Sequence, residues 1–178
     1  MSLQNAEANL KEFGKELNLQ ELAFDENHTC ILGIDNTFSL HLTYEPNSDR
    51  LYIYAPFLDG LPKHDSTKLK LFEAFLEGSM LGGQMAGGGV GVAGREELAL
   101  MHYALDMDLN ADPSSLRRFA PIFVECVEKW RERAKNIIEG RDPGATGIPG
   151  GGPIGGVGQQ AGKSDDDHPK PGDRFIKI

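Results

Sequence analysis

With 178 residues, 39% of them hydrophobic, the chain holds enough apolar material for one buried core and too little for two. Its net charge of -9 sits wholly on residues 1–139, where 22 acids face 13 bases, while residues 140–178 carry five of each; clustered Lys and Arg are missing, which argues against nucleic acid as a partner. No stretch approaches the ~18 apolar residues of a membrane span, and the acidic N-terminal segment, with Glu7, Glu12 and Glu16, lacks a basic start followed by an apolar run, so the reading is a cytoplasmic protein without membrane insertion.

Leu3, Ala6, Leu10, Phe13 and Leu17 recur at three- and four-residue intervals and predict an amphipathic first helix that Ser2 can cap. Three strand-like runs follow, Thr29 to Ile34, Phe38 to Tyr44 and Arg50 to Leu58, separated by the turn formers Asp35-Asn36 and Pro46-Asn47-Ser48-Asp49. In the second run Phe38, Leu40 and Leu42 alternate with Ser39, His41 and Thr43. In the third, Leu51, Ile53 and Ala55 alternate with Tyr52, Tyr54 and Pro56. Period two with short turns predicts an antiparallel three-stranded meander. From Ser66 to Met80 the period is helical again, with Leu69, Phe72, Phe75, Leu76 and Met80 on one face and Leu71 outside that stripe. A glycine-rich stretch, Gly82 to Gly94, leads to a strand-like Glu97 to Met107, with Val90-Gly91-Val92 short enough to pair with it as an edge strand. The last helix is expected from Asp112-Pro113 to Glu139, with Pro121 either kinking it or marking its true start.

The order helix, three strands, helix, two strands, helix predicts an α+β fold with an antiparallel sheet, confined to residues 1–139. Residues 140–178 hold 11 of the 22 glycines, five of the ten prolines and one aromatic, Phe175; this composition predicts a flexible, disordered tail. Cys30 and Cys126, each in an apolar run, read as buried free thiols.

Little in the chain points to catalysis or to a cofactor. Gly89-Val90-Gly91-Val92-Ala93-Gly94 spells the GxGxxG of dinucleotide-binding proteins, but that motif needs a strand before it and a helix after it, and here the order is reversed. His28, His41, His64, His102 and His168 show no ligand spacing, and Asp165-Asp166-Asp167-His168 reads as solvated charge. The glycines beside the second helix leave two readings open: a loose connection, or bare backbone that lets elements or subunits approach closely.

The segment Leu76-Glu77-Gly78-Ser79-Met80-Leu81-Gly82-Gly83-Gln84 leading into Gly-Val-Gly-Val, with the run Phe38 to Tyr44 and the run Asp49 to Pro56, resembles the class I type III secretion chaperones of the CesT/SycE type, chlamydial members especially. The resemblance spans about residues 2–138. It implies a homodimer whose interface draws on Leu69, Phe72, Phe75, Leu76, Val90 and Val92. It also implies that effector proteins bind through an extended segment near their N-termini, using apolar patches and added-strand pairing. Leu10, Phe13 and Leu17, with Phe38, Leu40 and Leu42, are the candidate effector-binding patch, each also having a plain core reading. The secretion ATPase is a further implied partner. A regulatory adaptor of the secretion system and a small-ligand or nucleotide-binding protein stand as alternatives.

Overall fold

The computed structural model describes residues 2–19, 22–108 and 110–142 together with the backbone of Phe175–Lys177. In chain order the elements are α1 (Ser2–Glu16), β1 (Thr29–Ile34), β2 (Phe38–Glu45), β3 (Arg50–Asp59), α2 (Asp65–Ser79), a 3-10 turn (Met80–Gly82), β4 (Gly89–Ala93), β5 (Leu98–Asp106), α3 (Ser115–Ile138) and β6 (Phe175–Lys177). The strands form one antiparallel sheet in the order β4-β5-β3-β2-β1-β6.

Local chemistry accounts for the meander. Asp35 and Asn36 turn β1 into β2 with positive φ, a conformation that Asp and Asn tolerate better than other side chains. At the next turn the Glu45 carboxylate accepts hydrogen bonds from the amides of Asn47 (2.9 Å) and Ser48 (2.8 Å), and the Tyr44 hydroxyl donates to Asp49 (2.8 Å). Strand alternation then sends Leu40, Leu42, Leu51, Ile53 and Ala55 to one face, where all are fully buried. The three helices pack on that face, and Phe13, Phe123 and Trp130 fill the space between them and the sheet.

One polar side chain lies inside this layer. Asn9 of α1 is completely buried; its Oδ1 accepts from the Leu116 amide (3.0 Å) and its Nδ2 donates to the Asn5 carbonyl (3.1 Å). The first turn of a helix leaves amides without intrahelical acceptors, and here one is satisfied from another helix.

Four sequence expectations are corrected. The last helix starts at Ser115 rather than at Asp112, because the Asp112 carboxylate folds over the preceding turn to accept from the amide and hydroxyl of Ser114 (2.8 Å each). That helix then runs through Pro121 without a break. In α2 the buried residues are Leu71, Ala74, Phe75 and Gly78, so Leu71, assigned outside the apolar face, anchors the helix. Finally, Phe175–Lys177, assigned to a disordered tail, form a sixth strand on β1; residues 143–174 and 178 of that tail lie outside the described residues.

Candidate functional site

Helix α2 carries apolar residues on two faces. One is spent on the core: Phe75 packs edge-on to Phe57 and to Trp130, with centroids 5.3 and 6.0 Å away. The other is open: Leu69, Leu76 and Met80 are 59, 73 and 69% exposed, and Leu81 just beyond reaches 95%. Leu81 also holds φ +53, which costs a non-glycine residue energy. Phe72 is half-buried between the two faces.

The glycine stretch after α2 is a packed connection, which decides between its two readings. Gly82 approaches Gly87 so closely that a Cβ on Gly82 would lie 2.5 Å from backbone carbon, and a Cβ on Gly88 would lie 1.9 Å from the His102 carbonyl oxygen. Gln84 locks the loop to α3. Its carbonyl accepts from the Trp130 indole (2.7 Å) and the Cys126 thiol (3.3 Å), and its side-chain oxygen accepts from Arg133 (2.8 Å), whose guanidinium stacks 4.5 Å from the Trp130 ring. This delivers the chain into β4, where the Val90 amide donates to Ser79 Oγ (3.1 Å). Val90 and Val92 pair with the inward-facing Met101 and Ala99, yet remain partly exposed at the sheet's edge. The open face of α2 and the bare edge of β4 thus adjoin.

Of the six residues predicted at the pairing interface, Leu69, Leu76 and Val92 are exposed, Phe72 and Val90 are half-buried, and Phe75 belongs to the core. The predicted effector-binding patch fares differently. Leu10, Phe13, Leu17, Leu40 and Leu42 are all buried in the chain's own core, so they cannot form an exposed patch in this conformation; the same alternation that made them conspicuous turns them inward. Phe38 alone is half-exposed, at the rim of the core under the Arg131 guanidinium (5.4 Å).

The opposite face of the sheet was not singled out from the sequence. The register aligns Ile31, His41, Tyr54, His102 and Gly89 in one row across β1, β2, β3, β5 and β4, with Thr29, Thr43, Tyr52 and Ala104 beside it. His41 stacks on Tyr54 at 4.9 Å and shares a 2.8 Å hydrogen bond with Ser39, and burial among these neighbours pushes its pKa down. Ile31 is 40% exposed. The face offers rings, hydroxyls and a branched aliphatic with all three helices on the other side. Its signal in the sequence was the tyrosine and histidine half of the same alternation.

The described residues place most of the groups that the sequence raised for chemistry. The GxGxxG glycines form β4 and lead by a turn into β5, not into a helix whose N-terminus could meet a phosphate. Among the described residues no group of three His, Cys, Asp or Glu could hold a metal, and Asp165-Asp166-Asp167-His168 lies outside them. Burial raises the pKa of the Cys126 thiol to about 11, far from a thiolate at neutral pH, and Cys30 is buried as well. A 770 Å³ cavity between the end of the sheet and α3 is wide open, with Phe57, Leu58 and Ile138 beside Glu128, Arg131, Glu132 and Lys135, whereas small-ligand clefts enclose most of the ligand's surface. Among the described residues no helix is long and apolar enough to cross a membrane.

A chain built from one helix, an antiparallel meander, a two-faced helix, a glycine-locked strand pair and a last helix matches the Tir chaperone protein (CesT) family model over residues 8–131. The chain belongs to the CesT family. Among solved structures, this CesT-family chain is similar to a chain of the HopA1-SchA chaperone-effector complex, with a TM-score of 0.58, 26% identity, and 74% of this chain and 97% of that one covered. It shares its fold with a chain of the ExsC-ExsE complex, with a TM-score of 0.56 at 15% identity over 72% and 92% of the two chains. No curated protein matches it in sequence.

Proposed function

We propose that this CesT-family protein is a type III secretion chaperone that works as a homodimer and performs no chemistry of its own. The observation that carries the reading is the second apolar face of α2, open beside β4 in a chain of a chaperone family. Leu69, Leu76, Met80 and Leu81 gain from leaving water when a second copy covers them, at about 25 cal/mol per Å² of apolar surface. With Phe72, Val90 and Val92 they form the proposed seam.

Two copies then present two outer sheet faces with their edges. An effector segment laid across them in extended form can bury alternate side chains against Ile31, His41 and Tyr54 while its backbone pairs with a strand edge. Bound in this way, the segment neither collapses nor self-associates, and it stays extended for a narrow secretion channel. Release falls to the secretion ATPase. The acidic surface suits a cytoplasmic carrier of basic and amphipathic segments.

The test is co-expression with candidate effectors, followed by affinity capture and light scattering. Two copies of this chain with one effector segment is the expected product. A monomer that recovers no effector removes the reading.

A further inference from the structure

Strand β1, Thr-Cys-Ile-Leu-Gly-Ile, carries no charged residue, no proline and no bulge, although its first residue is covered by Asp25, whose amide donates to the Thr29 carbonyl and whose carboxylate accepts from the Thr29 amide (2.8 Å each). Its inner face carries buried Leu32 and Ile34, and Ile31 stands 40% exposed on the outer face. Left bare, such an edge offers a row of unpaired backbone donors and acceptors to any extended chain. In this protein it is partly covered. Phe175, Ile176 and Lys177 pair antiparallel with Ile34, Gly33 and Leu32, and the pairing stops short of Ile31.

The sequence explains why this segment takes the place. Arg-Phe-Ile-Lys-Ile is the densest apolar run after Asp142 and contains the only aromatic there, whereas the residues before it are rich in glycine, proline and aspartate. The intervening chain can reach, with a contour of roughly 100 Å at ~3.3 Å per residue against a sheet of roughly 25 Å. Three residues of pairing form a weak contact, and it persists because its partner is tethered at an effective concentration of up to about 1 mM.

We propose that the β1 edge is a strand-acceptor site whose resident occupant is the chain's own C-terminal strand, which an extended segment of a bound partner has to displace. The identity of that partner as an effector rests on the chaperone reading above. The tail in place shields the edge from pairing with other chains, and its weakness lets a longer or better-matched strand replace it.

The experiment compares the full chain with the double variant Phe175→Pro/Ile176→Pro. Ladder donors alternate along an antiparallel strand, so one of the two prolines removes an N–H that faces β1 whichever phase the pairing has. The probe is a fluorescein-labelled peptide Arg-Phe-Ile-Lys-Ile, followed by anisotropy. The variant is expected to bind it about threefold to tenfold more tightly than the parent, with faster amide exchange at Gly33, whose backbone faces the C-terminal strand, and an unchanged circular dichroism melt. Equal peptide affinity with equal exchange overturns the proposal, as does a variant that binds no peptide. If effector capture fails while the peptide difference persists, the chaperone reading falls and the strand-acceptor site stands. If effector is captured with no peptide difference, the tail's role falls alone.

Discussion

Asn9 shows how much a single polar residue can hold. It joins α1 to the start of α3 by giving the Leu116 amide an acceptor inside the core. Asn9→Ala leaves that amide buried and unsatisfied, at a cost of about 1–3 kcal/mol, which chemical denaturation should read as a lower midpoint at unchanged slope. Gly78 is the opposite case, a residue needed for what it lacks. A Cβ there would lie 2.3 Å from the Trp130 ring and 2.7 Å from the Met85 methyl, so Gly78→Ala should destabilise by about 1–3 kcal/mol through overpacking, lowering the melting temperature by several degrees. His41 makes the outer face sensitive to pH. Burial holds its pKa below the ordinary 6.5, so the unfolded chain takes up the proton first as pH falls. Its contribution is complete above about pH 6.5 and is lost from there down toward the folded pKa. The melting temperature of His41→Gln should accordingly fall less than that of the parent between pH 7 and pH 5.

At the scale of the element, α2 decides most. Its sequence holds apolar residues through nearly a full turn, and periodicity alone cannot say which arc meets the chain's own core and which stays open. The arc read from spacing combined the two: Phe75 belongs to the core, Leu69 and Leu76 to the open side, and the anchor Leu71 was left out. A charge at Leu76, which is 73% exposed, should leave the monomer's fold intact and block pairing. Light scattering of Leu76→Glu is thus expected to give a monomer whose circular dichroism melt is cooperative, while Phe75→Ala should lose about 3–5 kcal/mol of stability as a core deletion. A Leu76→Glu chain that remains dimeric would place the seam elsewhere. The strands were easier to read, since alternation and turn chemistry are local; β1 begins and ends where the sequence placed it, and β2 and β3 each extend one residue further. The start of α3 was misread by three residues because Asp112 caps a turn, and the helix's own cap comes from Asn9, more than a hundred residues earlier.

On the scale of the whole molecule, the composition of the first 139 residues, the run of helix and strand periods and the resemblance they support together carried the fold class and the family, because each rests on order along the chain. The candidate site did not follow in the same way. Leu10, Phe13, Leu17, Leu40 and Leu42 were conspicuous for being apolar, and an apolar residue on a half-buried strand or helix turns inward first. What remains outside, Ile31, His41 and Tyr54 in one row, becomes a surface only when three strands take their register, and no local pattern states that register. The same holds for the glycine stretch, whose tightness depends on Trp130 and His102 from distant elements, and for Phe175–Lys177, whose pairing needs an unprotected edge to exist first. The sequence by itself determined the helices and strands of residues 1–139 and their order. Only the tertiary structure decided which apolar residues stay in water, because exposure is a property of how faces meet and periodicity specifies a face without naming its partner.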